Sequence, residues 1–308
     1  MRTAAVVVSW EGGATTARCV ASLRAQDRPP SEIVVVDNAS SEVERETLRR
    51  ELGTVPGVRL LLLDENRQFA GGLNAGARAA FAAGAARVLL LNNDTVLAPD
   101  VLGRLEDAMA GPRGPGIAGP VVVDLHHPEH VISAGERVLL PLLCVPRTLL
   151  RYRPRGDAPY PVSGVMGCAL CVTRDCFEAV GGFAEEIQVY YEDVDFCLAA
   201  REHGYGAVVV PGAVVRHDGM RGFAAGLTPW AAFLKARNPW LVVRRQGTPL
   251  TWLTFVPTYV VLVLASATIW ALRGRGDILR ALLRGAGAGI AAAAGREPVA
   301  VGPPGGRA

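Results

Sequence analysis

Acid and amide side chains follow two short apolar runs near the start of the chain. Asp37 and Asn38 follow the run EIVVV, and Asn93 and Asp94 follow RVLLLN. Carboxylate and amide oxygens are the hard ligands that Mg²⁺ and Mn²⁺ bind, and such an ion can carry a diphosphate. An acid after a strand is also a common helix cap. The pattern therefore predicts a metal–diphosphate site only if the two runs end at the same place.

A second group of acids could move a proton. Five carboxylates lie between Glu185 and Asp195, and three of them are in the sequence EDVD. On a helix, Glu192 and Asp195 share one face, whereas Asp193 points elsewhere. Acids in a first helical turn stabilise the helix dipole, which accounts for one or two of them but poorly for three. A general base is a carboxylate in a cleft within reach of its proton, so Asp193 or Asp195 is a candidate base.

Histidines and cysteines offer further ligands. His217 follows the last apolar run, in VVRHDG, and is either structural or a second ligand beside Asp94. Cys168 and Cys171 form half of a zinc pattern without a second pair, and their spacing in a strand puts them on opposite faces, so we do not expect zinc. The segment HHPEH at 126–130 could bind a metal, but its proline excludes a helix and we interpret it as a loop.

The segment FAGGLNAG at 69–76 is rich in glycine. It lacks the Gly-Lys-Ser/Thr of a P-loop, and its GGxxxG spacing differs from the dinucleotide-binding fingerprint. Small residues here could let a helix N-terminus approach a nucleotide, or could let the helix pack closely on the sheet. The sequence leaves both interpretations open.

The elements that must position these residues alternate between strands and helices. Apolar runs predict strands at 4–9, 32–37, 58–63 and 87–91, and helical spacing predicts helices at 15–25, 41–52, 70–83 and 99–110. This order predicts an α/β fold with a parallel sheet covered on both faces, whose polar strand ends meet at one edge. Residues 111–161 are predicted to be irregular or antiparallel. A strand at 163–173, a helix at 192–202 and short strands at 206–210 and 214–217 are expected to follow.

The charge is unevenly distributed along the 308 residues. The net charge of +3 gives no reason to expect a nucleic-acid partner. Residues 240–308 contain eight Arg and two acids, which leaves the preceding part mildly acidic. Six cysteines in a chain of this length do not indicate a disulfide framework. Because Glu11 and two glycines end the first apolar run, no signal peptide is predicted and the body is expected in the cytoplasm.

The C-terminal part contains a long apolar segment. Residues 250–272 carry no charge, and as a helix they would be about 35 Å long, enough to cross a hydrocarbon core of about 30 Å. Trp252 and Trp270 lie near its two ends, where interfacial aromatics are found. Arginines on both sides specify no orientation, and Pro257 interrupts the segment. Crossing the membrane, lying in its interface and a buried soluble helix stay open, and we predict membrane association.

The chain resembles the family 2 glycosyltransferases over about residues 4–245. The resemblance rests on six segments in the family's order, which are VVVSW, VVVDNAS, ENRQFAGGLNAG, LLLNNDT, the block from GGF to YYEDVDFCLAAREHG, and VVRHDG. It implies the GT-A fold, with a catalytic domain at 1–245 and a membrane-associated helical tail at 246–308. The sequence RNP at 237–239 and the apolar tail resemble the rhamnosyltransferase-like bacterial branch, which acts on cell-surface glycans at the inner membrane face.

The resemblance also implies a role for each matching residue. The donor nucleotide would be bound by Val8, Ser9, Asp37, Asn66, Asn74 and Asn93. Asp94 and His217 would bind Mn²⁺ or Mg²⁺, and Asp193 would be the catalytic base. The acceptor cleft would contain Gly167, Cys168, Glu192 and Asp195.

The implied reaction is a single inverting transfer of one sugar. The donor would be a dTDP- or UDP-linked sugar such as rhamnose, and the acceptor a hydroxyl of a cell-envelope glycan or polyprenyl-linked glycan at the cytoplasmic face of the membrane. Asn92 replaces the first acid of the family's Asp-x-Asp motif, and the processive Gln-x-x-Arg-Trp motif is absent. Two alternatives are a non-catalytic, membrane-tethered nucleotide-sugar binder and a sugar nucleotidyltransferase. The latter would need basic residues in an N-terminal glycine-rich loop, and the segment EGGA that begins at Glu11 has none.

Overall fold

The computed structural model describes residues 1–111, 114–142, 156–219 and 227–297, together with residue 302. Its strands are β1 (Thr3–Ser9), β2 (Ile33–Asp37), β3 (Val58–Leu62), β4 (Arg87–Asn92), β5 (Thr95–Leu97), β6 (Ile117–Asp124), β7 (Val131–Ser133), β8 (Tyr160–Val162), β9 (Ala169–Thr173) and β10 (Ala207–His217). Its α-helices are α1 (Gly13–Arg24), α2 (Glu42–Leu52), α3 (Gln68–Ala82), α4 (Val101–Ala108), α5 (Arg174–Val180), α6 (Glu192–Glu202), α7 (Pro229–Gln246), α8 (Pro249–Leu272) and α9 (Gly276–Ala293).

The first half of the sheet is the predicted parallel one. Its strands lie in the order β3-β2-β1-β4, and the register pairs Ser9 with Asp37 and Val8 with Asn92. The polar residues after these strands therefore meet at one edge, as the sequence predicts. We call the edge formed by the ends of β1, β2, β4 and β10 the carboxyl edge.

The second half of the sheet is mixed, and here the sequence prediction was partly wrong. β9 lies antiparallel between β4 and β6, and β6 is parallel to β10. The expected irregular stretch thus contains β6, an eight-residue buried strand that Gly119 and Pro120 conceal. Glycine is required there, because a Cβ on Gly119 would lie 2.2 Å from Val165 Cγ1. The two short strands expected at 206–217 form one strand with an irregularity between Val210 and Val214.

Helices cover both faces of the sheet because every second residue of a buried strand points to the same face. In β1, Val6 packs on the α3 side and Val7 on the side of α1, α2 and α4. A Cβ on Gly72 would lie 2.8 Å from Val8 Cγ1, and one on Gly76 would lie 2.3 Å from Val6 Cγ1. The structure therefore favours close helix–sheet packing as the reason for these glycines.

The C-terminal helices pack on the preceding part of the described chain. α9 lies along α7, where a Cβ on Gly285 would be 2.2 Å from the Phe233 carbonyl oxygen. One apolar cluster joins α6, α7, α8 and α9, so the packing is continuous across the expected boundary at 245. Among the described helices, α8 has the length and apolar composition that crossing a membrane requires, and only 11% of its most apolar window is buried.

Candidate active site

The donor side of the carboxyl edge is formed by the ends of β1 and β2. The Asp37 carboxylate is fully buried and pairs with Arg45, whose Nε lies 2.8 Å from Asp37 Oδ2. Asn93 Nδ2 donates to Thr16 Oγ1 at 3.1 Å, and that oxygen lies 2.8 Å from Ser9 Oγ. The three predicted residues Ser9, Asp37 and Asn93 therefore lie on adjacent strand ends, linked to the starts of α1 and α2.

An amide pair extends this side to the start of α3. Asn38 Nδ2 donates to Asn66 Oδ1 at 3.1 Å and to the Gln68 carbonyl at 2.9 Å, while Asn38 Oδ1 accepts from the Arg67 amide at 2.9 Å. The predicted residue Asn66 thus lies beside the strand end. Asn38 was noted in the sequence as a polar strand-end residue, but no binding role was predicted for it.

Asn74 was predicted to shape the nucleotide pocket, and the structure gives its amide other partners. Asn74 Nδ2 donates to the Phe183 carbonyl at 2.9 Å and to Glu185 Oε1 at 3.0 Å, and Oδ1 accepts from the Phe183 amide at 2.8 Å. The side chain is buried on α3. Its hydrogen bonds link α3 to the segment before α6.

The candidate metal residues lie together at the ends of β4 and β10. Asp94 Oδ1 is 3.1 Å from His217 Nε2, and Asn92 Nδ2 is 3.3 Å from the same nitrogen. Asn92 Oδ1 and His217 Nδ1 are buried atoms without a hydrogen-bond partner among the described residues, and buried Asp94 Oδ1 has no hydrogen bond besides its ion-pair contact with His217, which is unusual in a folded protein. Carboxylate oxygen and imidazole nitrogen are suitable ligands for Mn²⁺ or Mg²⁺. The residues present therefore fit a divalent ion.

Asp193 is linked to the end of β4 by the backbone of Gly167 and Cys168. Asp193 Oδ2 accepts from the Gly167 amide at 2.8 Å, and the Cys168 carbonyl accepts from the Asn92 amide at 3.0 Å. Two consecutive residues, Gly167 and Cys168, thus join the candidate base to the end of β4, two residues before Asp94. An ionised carboxylate has about four acceptor sites, so Asp193 can accept from a substrate hydroxyl as well.

The two acids next to Asp193 are also buried on α6. Glu192 contacts the same short segment, since a Cβ on Gly167 would lie 3.3 Å from Glu192 Oε1. Asp195 was predicted in the acceptor cleft, but its carboxylate points to α7. Its oxygens accept from Arg245 Nε at 3.1 Å and from Gln246 at 2.9 Å. Burial raises the pKa of Asp195, although Arg245 and Gln246 oppose that shift.

The sequence contains two further groups of potential metal ligands, the pair Cys168 and Cys171 and the HHPEH loop at 126–130. Cys168 and Cys171 lie in the apolar core, and burial raises the pKa of Cys171 to about 12, which keeps its thiol protonated. The exposed loop after β6 brings ligand atoms of His127, Glu129 and His130 within 4.8 Å of one another. Cys168 lies just before β9 and shares one apolar cluster with Cys171, so the expectation of opposite strand faces was wrong, whereas the HHPEH segment is the predicted loop.

The sequence analysis missed one feature beside Asp193. Arg237 and Asn238 are fully buried polar residues in the middle of α7, and they contact the segment before α6. The signal in the sequence is the pair Arg237 and Asn238 next to apolar residues on both sides, before Pro239.

Comparisons with known proteins identify the family. The family model described as "Glycosyltransferase like family 2" matches residues 1–242. The chain is 25% identical over 228 residues to "dTDP-rhamnosyl transferase RfbF" of Shigella flexneri, covering 71% of this chain and 72% of the relative. It is 28% identical over 274 residues to "N-acetylglucosaminyl-diphospho-decaprenol L-rhamnosyltransferase" of Mycobacterium tuberculosis, covering 80% and 87%.

A solved structure supports the fold independently. The "Mannosyltransferase PcManGT from Pyrobaculum calidifontis in complex with GDP-Man and Mn2+" aligns with a TM-score of 0.59 at 22% identity, covering 96% of this chain and 76% of that one. This likeness shows the GT-A fold. The chain belongs to glycosyltransferase family 2 and is a GT-A glycosyltransferase related to bacterial rhamnosyltransferases.

Proposed function

We propose that the enzyme transfers one sugar, with inversion, from a dTDP- or UDP-linked donor to a hydroxyl of a cell-envelope or polyprenyl-linked glycan. The observation that carries the proposal is the connection of Asp193, through Gly167 and Cys168, to the strand that carries Asn92 and Asp94. Two relatives named as rhamnosyltransferases support a rhamnosyl donor, and one is named for a decaprenol-linked acceptor.

Asp193 is the proposed base. It removes the proton from the acceptor hydroxyl, whose oxygen then bonds to the anomeric carbon while the bond from that carbon to the diphosphate oxygen breaks. The electron pair leaves with the nucleoside diphosphate, and a single displacement inverts the anomeric centre. Asp94 and His217 would bind Mn²⁺ or Mg²⁺, which supplies positive charge to the departing diphosphate.

The donor side would bind the nucleotide at the carboxyl edge. Val8, Ser9 and Asp37 occupy the strand ends where base and ribose bind in the predicted arrangement, with Asn66 and Asn93 beside them. Gly167 and Cys168 lie between the two sides, and this position suits the predicted acceptor cleft.

Ligand stabilisation and turnover together test this proposal. We expect dTDP-L-rhamnose with Mn²⁺ to raise the Tm, because a ligand that binds only the folded form stabilises it by RT ln(1 + [L]/Kd). GDP-mannose is the comparison donor, and Asp94→Asn is the control that removes the metal response. Release of dTDP that depends on an N-acetylglucosaminyl-diphospho-prenol acceptor distinguishes an enzyme from a binder. Absence of both stabilisation and release with dTDP- and UDP-sugars would refute the proposal.

We also propose that α8 binds the interface of one membrane leaflet on its cytoplasmic face. Leu253, Val261, Leu264 and Leu272 are among its exposed apolar side chains, and an exposed apolar surface of this kind indicates a binding site. The described part of the chain after Leu272 adds five arginines against two acids, namely Arg273, Arg275, Arg280, Arg284 and Arg296 against Asp277 and Glu297. Basic residues beside an apolar helix favour an anionic lipid surface.

The contacts of α8 argue for the interface and against crossing. Phe255 and Tyr259 are buried against Trp240 of α7, and the Tyr259 hydroxyl donates to the Ala236 carbonyl at 2.7 Å. Only the part of α8 beyond Tyr259, where no residue is buried against the protein, could enter the hydrocarbon core, whereas the exposed side chains before it can lie in the interface. These thirteen residues span about 20 Å, less than the hydrocarbon thickness of about 30 Å.

Vesicle sedimentation tests the membrane proposal. We expect Leu253→Glu/Leu264→Glu to lower binding to phosphatidylglycerol-containing vesicles about tenfold or more, since charges do not enter the apolar boundary. Val43→Glu, at an equally exposed valine of α2, should bind like the wild type. Alkaline carbonate should release the bound wild type. Retention after carbonate would indicate crossing, and equal binding of the two variants would refute the α8 surface.

A further inference from the structure

The segment before α6 has an unusual backbone. We call residues 185–191 the γ-turn loop, because the Val189 amide donates to the Ile187 carbonyl at 3.0 Å around Gln188, which has φ 70° and ψ −78°. Tyr190 and Tyr191 follow with φ 65° and 75°. A γ-turn with positive φ is rare and strained, and each such non-glycine residue costs about 1–3 kcal/mol. Three of them within four residues persist only if other contacts hold them.

Asn238 provides one set of those contacts. Its Nδ2 lies 2.9 Å from the Ile187 carbonyl oxygen, 2.8 Å from that of Val189 and 2.8 Å from that of Tyr190. The amide nitrogen has two hydrogens, so at least one of them is shared between carbonyls. A single buried side chain thus satisfies three carbonyls that the strained backbone directs to α7.

Arg237 provides the second set. Its Nη2 donates to the Glu186 carbonyl at 3.1 Å and to the Ile187 carbonyl at 3.2 Å, and its Nε donates to Asn238 Oδ1 at 2.9 Å. Burial lowers the pKa of Arg237 to about 10, so it stays charged at neutral pH. The two side chains therefore act together on the γ-turn loop.

The γ-turn loop joins both sides of the candidate site. The Gln188 carbonyl accepts from the Ala70 amide at 2.9 Å, in the first turn of α3 beside the donor residues. At its other end, Tyr191 immediately precedes Glu192 and Asp193, and its carbonyl accepts from the Asp195 amide at 2.9 Å. A shift of this loop would therefore move the base and the donor helix relative to each other.

We propose that Arg237 and Asn238 are positioning residues, which hold the strained γ-turn loop so that Asp193 and the start of α3 are correctly spaced for transfer. This inference rests on the proposed function, in which Asp193 is the base. Neither residue touches the reacting atoms. Their loss would let the loop adopt unstrained dihedrals, and a misplacement of about 1 Å can cost about 10²-fold in rate.

The test compares Asn238→Ala with Val242→Ala. Val242 is equally buried in α7 but no hydrogen bond joins its side chain to the loop, so its truncation destabilises the same helix without removing the contacts. At a temperature where both variants are folded, we expect Asn238→Ala to lower kcat about 10- to 100-fold and Val242→Ala to stay within about threefold. The assay uses dTDP-L-rhamnose and the prenyl-diphosphate acceptor. If Asn238→Ala is insoluble, Asn238→Ser, which keeps one donor, is measured with the same expected direction.

A rescue variant separates positioning from simple destabilisation. Gln188→Gly removes the steric cost of positive φ, so Asn238→Ala/Gln188→Gly should regain part of the lost kcat although glycine adds unfolded-state entropy. A purely structural role of Asn238 predicts no regain. An unchanged kcat in Asn238→Ala, or an equal loss in Val242→Ala, would overturn the proposal.

Hydrogen exchange keeps this inference separate from the proposed function. We expect Asn238→Ala, but not Val242→Ala, to speed exchange of peptide amides in 186–195 and 68–76. If the wild type transfers no sugar, the proposed function fails, and the exchange data still decide whether the two residues hold the loop. Unchanged exchange in both segments would refute the role of Asn238 on its own.

Discussion

The strand ends of the carboxyl edge and the segment that carries Asp193, here called the base side, are held in place by different means. On the donor side, Ser9, Asp37 and Asn92 are the last residues of parallel strands, and the sheet register places them. On the base side, Asp193 follows a strained loop that α7 holds from about fifty residues further along the chain. The first side depends on local strand–helix units, and the second on long-range contacts of buried polar groups.

This difference predicts how each side fails. A substitution on the donor side should remove a ligand or a contact while the backbone stays in place. A substitution on the base side should first move the backbone and affect catalysis through that movement. Two buried ion pairs illustrate the contrast: Asp37 pairs with Arg45 eight residues away, whereas Asp195 pairs with Arg245 fifty residues away.

Among substitutions at the strand ends, Asp94→Asn is expected to have the largest effect on activity. Loss of the carboxylate should lower kcat/KM about 100-fold or more at fixed Mn²⁺, because a bound ion contributes several kcal/mol to transition-state charge stabilisation. The control is Asp124→Asn, at the end of β6 next to β10, where the carboxylate accepts from the His126 and His127 amides. Equal losses in both variants, or an undiminished Mn²⁺ response in Asp94→Asn, would contradict the metal assignment.

A smaller effect, on stability, is expected from Arg245→Ala on the base side. It leaves the buried Asp195 carboxylate without its cation, and we expect a loss of about 2 kcal/mol, below the 3–5 kcal/mol of a fully buried pair because Arg245 is 36% exposed. Chemical denaturation at neutral pH measures the loss. Arg49→Ala, in an exposed pair with Glu42, should leave the Tm unchanged.

The same variant has a predictable pH dependence. Burial already raises the folded-state pKa of Asp195, and removal of Arg245 raises it further. A raised folded pKa means that the destabilisation is absent below the unfolded pKa and grows as the pH rises through the folded value. The difference in free energy of unfolding between wild type and Arg245→Ala should therefore be larger at pH 8 than at pH 4.5. A constant difference would show that Asp195 is not ionised against Arg245.

The last prediction, of similar size, concerns the contact of α9 with α7 outside the candidate site. Gly285→Ala should destabilise the protein by about 1–3 kcal/mol, because its Cβ would lie 2.2 Å from the Phe233 carbonyl oxygen. Gly287→Ala, two residues along the same helix with nothing within 4 Å of its Cβ, should stabilise it by about 0.5–1 kcal/mol. Thermal denaturation of the pair checks this, and opposite signs are required.

Much of the donor side could be predicted from the sequence. Short apolar runs and helical spacing placed β1 to β4 and α1 to α4 within a few residues, because parallel strands buried on both faces carry a continuous apolar signal. β6 was missed because Gly119 and Pro120 interrupt that signal, and only the contact with Val165 shows why glycine is there. The helix at 192–202 was predicted with its observed bounds.

The base side could be predicted less well, for physical reasons. Gln188, Tyr190 and Tyr191 are not residues that favour positive φ, so nothing local in the sequence indicates the γ-turn loop. Helical periodicity left Asp193 and Asp195 as equal candidates. The position of α7 favours the proposal of Asp193, since Asp195 pairs with Arg245 while Asp193 accepts from the Gly167 amide.

The central claim is that Asp193, and not its neighbour Asp195, takes the acceptor proton. The most direct measurement is the kcat of Asp193→Asn beside that of Asp195→Asn, with dTDP-L-rhamnose as donor and with folding checked by Tm. The account predicts that Asp193→Asn loses about 10²–10⁴-fold in kcat while donor stabilisation persists, and that Asp195→Asn loses less than about tenfold. A wild-type kcat in Asp193→Asn, or an equal loss in folded Asp195→Asn, would contradict it.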